Sequence, residues 1–135
     1  VSPGSAVSSA KLQEVVDLLS AGGDVVVLDE SRQDAVTAIS GSGPAYLFYL
    51  AEHMIAAGVA AGLEEETAQT LAVQTLNGAA QLLSQSSESA QELRRRVTSP
   101  NGTTHSAITT FDQLGVGAGV EAGVRAAIGR SAELG

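Results

Sequence analysis

The 135 residues are enough for one domain with a single core burying roughly two thirds of the surface that the unfolded chain exposes, and a second full domain does not fit. Seven basic against fifteen acidic residues give a net charge of −8, and no basic stripe or aromatic platform offsets it, which argues against nucleic acid and against a membrane surface as partners. No cysteine is present, so disulfides and thiolate metal sites are excluded, and two histidines far apart in sequence make no metal site.

Hydrophobic residues make up 44% of the chain but aromatics only 3%, so the core is expected to consist of Ala, Val, Leu and Ile, with helices approaching one another closely. The apolar stretches are broken by Glu, His or Gln before they reach bilayer length, and no basic-then-apolar leader opens the chain. A soluble, cytoplasmic protein is expected.

In chain order, Ser8 and Ser9 are candidate caps for a helix whose apolar positions Leu12, Val15, Val16, Leu18 and Leu19 recur at helical spacing, and Gly22 and Gly23 stop it. Asp24 to Leu28 is a short β-branched run that predicts one strand, followed by the polar break Asp29-Glu30-Ser31-Arg32-Gln33. The remainder of the chain is helical in character. Pro44 to Ala61 carries Leu47, Leu50, Met54 and Ile55 and stops at Gly62. Glu64 to Ser84 carries an apolar stripe through Ala68, Leu71, Ala72, Leu76 and Leu83, and its three leading glutamates suit the positive end of a helix dipole. Ser89 and Glu92 form a capping box for a short helix reaching Val97. Two further helices are predicted, from Thr103 to Gln113 and from Val116 to Leu134. In the last, Gly117, Gly119, Gly123 and Gly129 would each cost about 0.8 to 1 kcal/mol against Ala if exposed, so it should hold its shape only when packed closely on a partner. No repeat of fixed period is visible.

Two stretches invite a chemical reading. Residues 35 to 48, AVTAISGSGPAYLF, resemble a strand entering a Gly-x-Gly turn, as at the start of a dinucleotide-binding unit. The match fails: Tyr46 replaces the third glycine, Pro44 sits where an amide would face the phosphates, and no β-α-β succession comes after it. A helix capped by Ser42, with Pro44 in its first turn, accounts for the same residues. In Ser99-Pro100-Asn101-Gly102, proline takes the second position of a turn and asparagine, which tolerates positive φ, the third. With Thr103 and Thr104 opening a helix directly behind it, free backbone N–H groups and hydroxyls converge at the positive end of a helix dipole, where anions bind. Local pattern alone leaves this open between an anion site and a plain helix start.

Residues 34 to 46, DAVTAISGSGPAY, and 97 to 108, VTSPNGTTHSAI, resemble the two signature stretches of the pyrroline-5-carboxylate reductase family, in order and some fifty residues apart. The resemblance implies the C-terminal part of such an enzyme: a mainly α helical bundle whose helices interleave with those of a partner chain in a homodimer, with a higher oligomer of such dimers as the further alternative. Residues 1 to 30, with their helix and strand, would be the remnant of an N-terminal Rossmann-type nucleotide domain, and residues 31 to 135 the dimerisation and substrate-binding domain. The family reduces a cyclic imine carboxylate to proline with NADPH or NADH. The resemblance therefore implies a small carboxylate substrate bound by Ser99, Gly102, Thr103 and Thr104, with Thr104 as the catalytic residue whose hydroxyl meets the ring nitrogen.

This sequence has Asn101 where the family commonly has glycine, a change the turn should tolerate. His105 is read as a bystander on the first helical turn, and Arg94-Arg95-Arg96 as a solvated face suited to a helix C-terminus, with steering of an anionic ligand as the lesser reading. No cofactor-binding residue is assigned, no cofactor is expected on these residues alone, and the isolated chain is expected to be inactive. The competing reading is a self-sufficient, non-catalytic helical dimer that binds a small carboxylate or nothing. The lone strand argues against it, because unpaired strand edges invite aggregation.

Overall fold

Ser8 adopts the extended conformation of a helix cap, and its Oγ accepts from the Lys11 N–H at 3.3 Å, starting α1, Ser9–Ser20, in the computed structural model, which describes residues 1–135. The strand expected over Asp24 to Leu28 does not form. Its hydrogen bonds go to a single residue: the Val1 amino group donates to the Val26 carbonyl at 2.6 Å, and the Leu28 N–H to the Val1 carbonyl at 3.1 Å. A ladder needs several consecutive rungs, and here there is one.

The residues read as a polar break are also partly helical. Glu30–Arg32 form a 3₁₀ turn, Gln33–Val36 form α2, and Thr37–Gly41 continue as a π-helical turn around the fully buried Ala38. Ser42 is not the cap it was expected to be. Its N–H still bonds back to the Thr37 carbonyl at 2.8 Å, which holds it in a right-handed helical conformation (φ −85°, ψ −20°) instead of the extended one a cap requires. These residues belong to one compact unit, Val1–Ser42 with Val124–Gly135, which is tied together by Ser131 Oγ donating to Asp34 Oδ1 at 2.7 Å and by Gln33 Nε2 donating to Ser2 Oγ.

Gly43–Gly123 form the second unit. Here α3, Gly43–Ala60, and α4, Glu65–Gln85, pack along each other. The connection is set by Gly62 at φ 98°, with the Gly62 N–H on the Val59 carbonyl at 2.9 Å and the Leu63 N–H on the Gly58 carbonyl at 3.1 Å, the paired bonds of a Schellman stop. Small residues let the two helices meet: a Cβ placed on Gly58 would lie 3.2 Å from Ala68 Cβ and 3.3 Å from Leu63 Cδ1, and Ala68 and Ala72 are buried there. A leucine at position 58 has no room. Gly58→Leu is expected to destabilise the protein by about 1–3 kcal/mol through overpacking, read as a lower urea midpoint with an unchanged slope.

The chain continues through α5, Ala90–Arg96, α6, Thr103–Gln113, and α7, Val116–Leu134, which spans both units. In α5, Ser89 Oγ caps the Glu92 N–H at 3.2 Å, but only this half of the expected box forms, because the Glu92 carboxylate turns to Arg95 instead. A Cβ at Gly117, Gly119, Gly123 or Gly129 of α7 would meet nothing within 4 Å.

The chain does not enclose a core of its own. Only Ala38, Ala68 and Ala72 are buried, while Phe48 is 72% and Leu114 75% exposed. A compact chain of 13.6 kDa exposes about 6,600 Å², whereas this one exposes 10214 Å². Helix α3 is apolar nearly all round, with Glu52 and His53 its only charged or titratable polar residues besides two tyrosines, a composition found in helices covered on every side. No helix is long and apolar enough to cross a membrane.

Candidate functional site

The last turn of α5 leads directly into the turn singled out from sequence. Val97 ends the helix, the Thr98 N–H donates to the Arg95 carbonyl at 3.1 Å, and Thr98 Oγ1 donates to the Arg94 carbonyl at 2.6 Å, so the chain leaves α5 in a determined direction. The Gly102 N–H then donates to the Ser99 carbonyl at 3.0 Å with Asn101 at φ 59°. A positive φ at the third residue and proline at the second define a type II turn. Asn101 is the one side-chain-bearing residue with positive φ, so it carries the backbone conformation that glycine would otherwise supply at this position.

Gly102 is the cap residue of α6, in extended conformation (φ −79°, ψ 172°), and it supplies no side-chain hydrogen bond. Helix geometry leaves the N–H groups of Thr103, Thr104 and His105 without intrahelical partners; the first N–H to close the helix is that of Ser106, on the Gly102 carbonyl at 3.1 Å. The three open donors are thus displaced by one residue from those the sequence indicated, Gly102, Thr103 and Thr104. The signal was available: proline and asparagine at the centre of a hydrogen-bonded turn commit the N–H of the fourth residue.

The hydroxyls divide in the same way. Those of Thr98 and Thr110 are tied to the backbone one turn earlier, on Arg94 and Ser106. The hydroxyls of Ser99, Thr103 and Thr104 make no hydrogen bond within the chain. Thr104 is half-buried, while Ser99, Thr103 and His105 are exposed. The arrangement offers backbone donors and neutral hydroxyls at a dipole's positive end, which suits one small anion and needs no cationic side chain.

Of the three arginines preceding the turn, Arg95 makes a two-point pair with Glu92 (Nε to Oε2 2.8 Å) and Arg96 pairs with Glu88 at 2.8 Å. The hydrogen bond from Arg95 and its charge hold the Glu92 carboxyl below the usual carboxylate range; both groups are exposed, so the pair adds little stability. Arg94 has no carboxylate partner. His53, on α3, stands edge-on to Tyr49 with ring centroids 4.3 Å apart. No group of three His, Cys, Asp or Glu side chains is placed to hold a metal ion.

Residues 30–134 match the family model described as pyrroline-5-carboxylate reductase dimerisation. The chain belongs to the pyrroline-5-carboxylate reductase family. It is 53% identical over 129 residues to the pyrroline-5-carboxylate reductase of Pseudomonas aeruginosa, covering 95% of this chain and 47% of that protein, and 44% identical over 135 residues to that of Corynebacterium melassecola, covering 100% and 50%. Among solved structures, a pyrroline-5-carboxylate reductase from Coxiella burnetii superposes with a TM-score of 0.92 at 33% identity, over 98% of this chain and 50% of the other. The Plasmodium falciparum enzyme with NADP bound superposes with a TM-score of 0.85 at 31% identity, over 95% and 52%. The chain spans about half the length of the reductases it matches. Both signature stretches, and the turn with its open donors, lie inside the part matched by the reductase dimerisation family.

Proposed function

We propose that these residues are the substrate-binding and dimerisation part of a pyrroline-5-carboxylate reductase, which reduces 1-pyrroline-5-carboxylate to proline with NADPH or NADH in the cytoplasm. What carries the reading is the start of α6: three open N–H groups and three unengaged hydroxyls behind a turn closed by Pro100 and Asn101, in a chain of this family. The substrate carboxylate is held by the N–H groups of Thr103, Thr104 and His105 and by the Ser99 hydroxyl. Thr104 presents its hydroxyl to the imine nitrogen, orienting the ring and relaying a proton; a threonine hydroxyl is too weak an acid to act as a bulk proton source.

The residues present do not fit a dinucleotide. Gly41 and Gly43, which would flank a phosphate, lie on a helical path at negative φ, and Pro44 has no N–H to donate. The nicotinamide cofactor is therefore assigned to a nucleotide domain preceding residue 31, of which residues 1–30 are the end. The two hydrogen bonds of Val1 to Val26 and Leu28 support this, since they bracket Val27 in the register of a parallel β pair, and parallel strands belong to sheets covered on both faces. Self-association is a consequence of the exposed apolar helices, with a second copy of the chain as the partner.

The purified 135-residue chain is expected to oxidise neither NADPH nor NADH in the presence of the imine. Cofactor oxidation above a blank would overturn the division of labour between the two parts. The substrate site is tested by titrating proline into the 15N-labelled chain, with the Thr103, Thr104 and His105 amide resonances expected to shift; unmoved amides at saturating proline would count against it.

A further inference from the structure

We propose that Gly102 is a positioning residue that acts on the substrate through the Ser99 hydroxyl. The inference rests on the reading of Ser99 as a carboxylate ligand. Gly102 itself cannot add a donor, because its N–H is committed to the Ser99 carbonyl at 3.0 Å.

Nor is a glycine demanded by the backbone. At φ −79° and ψ 172° the residue lies in the extended region that any amino acid adopts. Local stability would favour something else: Ser, Thr, Asn and Asp are the preferred residues at a helix cap, where the side chain accepts from the N–H two or three residues on. Helix α6 does without that bond. What the missing side chain accommodates is Ser99. A Cβ on Gly102 would stand 2.6 Å from Ser99 Oγ, 3.1 Å from the Ser99 carbonyl oxygen and 3.8 Å from Ser99 Cβ.

The ligand is affected in two ways. The serine hydroxyl occupies the space that a Gly102 Cβ would take, at the turn from which α6 starts, and any substituent at 102 pushes it out of that position. A capping side chain at 102 would also occupy the Thr104 or His105 N–H and compete with the carboxylate for it. Gly102 thus leaves both the hydroxyl and the backbone donors available to an incoming anion.

The test is a double-substitution cycle in the full-length reductase carrying this segment, with Gly102→Ala and Ser99→Ala made singly and together, and KM and kcat measured for the imine. Ser99→Ala alone tests the underlying reading, and KM is expected to rise about tenfold, the usual worth of a hydrogen bond to a charged group. Gly102→Ala should raise KM by a similar factor with a smaller change in kcat, at unchanged thermal midpoint. In the Ser99→Ala background it should add less than about twofold, since the 2.6 Å clash is gone and the approach to the carbonyl is common to both backgrounds. Equal fold-losses from Gly102→Ala in both backgrounds would overturn the proposal while leaving Ser99 as a ligand. No change in KM for Ser99→Ala would overturn both. Gly102→Ser supplies the second arm: it should restore a cap and raise the thermal midpoint while weakening the substrate, and a midpoint gain without any rise in KM would also overturn the proposal.

Discussion

Thr104→Val in the full-length reductase is expected to lower kcat by about 10²-fold, or about 2.7 kcal/mol, while folding and assembly change little. Valine keeps the shape of threonine and the backbone N–H, so the start of α6 and its open N–H groups survive; only the hydroxyl is lost. That hydroxyl is the half-buried one of the three, and it makes no hydrogen bond within the chain, so its removal leaves no orphaned protein partner to confuse the result. A preorganised donor facing charge that shifts in the transition state acts on kcat, whereas a uniform binder acts on KM. Thr104→Ser should recover part of the loss. Steady-state kinetics of both variants against the parent decide the matter: equal kcat in all three reduces Thr104 to an ordinary residue of the first helical turn.

The second large effect concerns assembly. The exposed area of 10214 Å² exceeds that of a compact chain of this mass by about 3,600 Å², and two copies covering that excess would share an interface well into the obligate range above 2,000 Å². The apolar surplus is displayed on α3, along an open groove of about 750 Å³ lined by Phe48, Ala51, Ile55 and Val59 together with Glu52 and Glu65, and on α7, where a Cβ on any of its glycines would meet nothing within 4 Å. Sedimentation at micromolar concentration should therefore give at least twice the 13.6 kDa of one chain, and the thermal midpoint should rise with protein concentration, as expected when folding and association are one equilibrium. Phe48→Asp, which replaces the aromatic side chain of that groove by a carboxylate beside Glu52 and Glu65, should abolish the dimer together with most of the folded signal. A folded monomer of the parent at micromolar concentration would refute obligate pairing.

Where structure is decided within one or two turns of chain, it was legible in the residues themselves. The predicted limits of α6 and α7, Thr103 to Gln113 and Val116 to Leu134, coincide with those observed, because their starts and stops depend on Pro100, Asn101 and neighbouring glycines. The Ser8 and Ser89 caps and the Gly62 stop form for the same reason. Ser42 failed as a cap although its residue type and the proline after it were right, since the π-helical turn before it never releases its N–H. At the candidate site the turn and the helix start were readable, but the identity of the donors shifted from Gly102 to His105 once the turn's own hydrogen bond was counted.

By itself, then, the sequence determined the longer helices, the turn at Ser99 to Gly102 and the helix start behind that turn, all through hydrogen bonds spanning three to five residues. Only the tertiary structure decided that Asp24 to Leu28 has a single pairing residue in place of a ladder, that Gly102 makes room for the Ser99 hydroxyl, and that three alanines are the whole of the buried core. Composition counts apolar side chains but does not say which surface they are buried against. Strand pairing, close approach and core formation all depend on groups distant in sequence, and for most of these helices the covering group is not found within the chain.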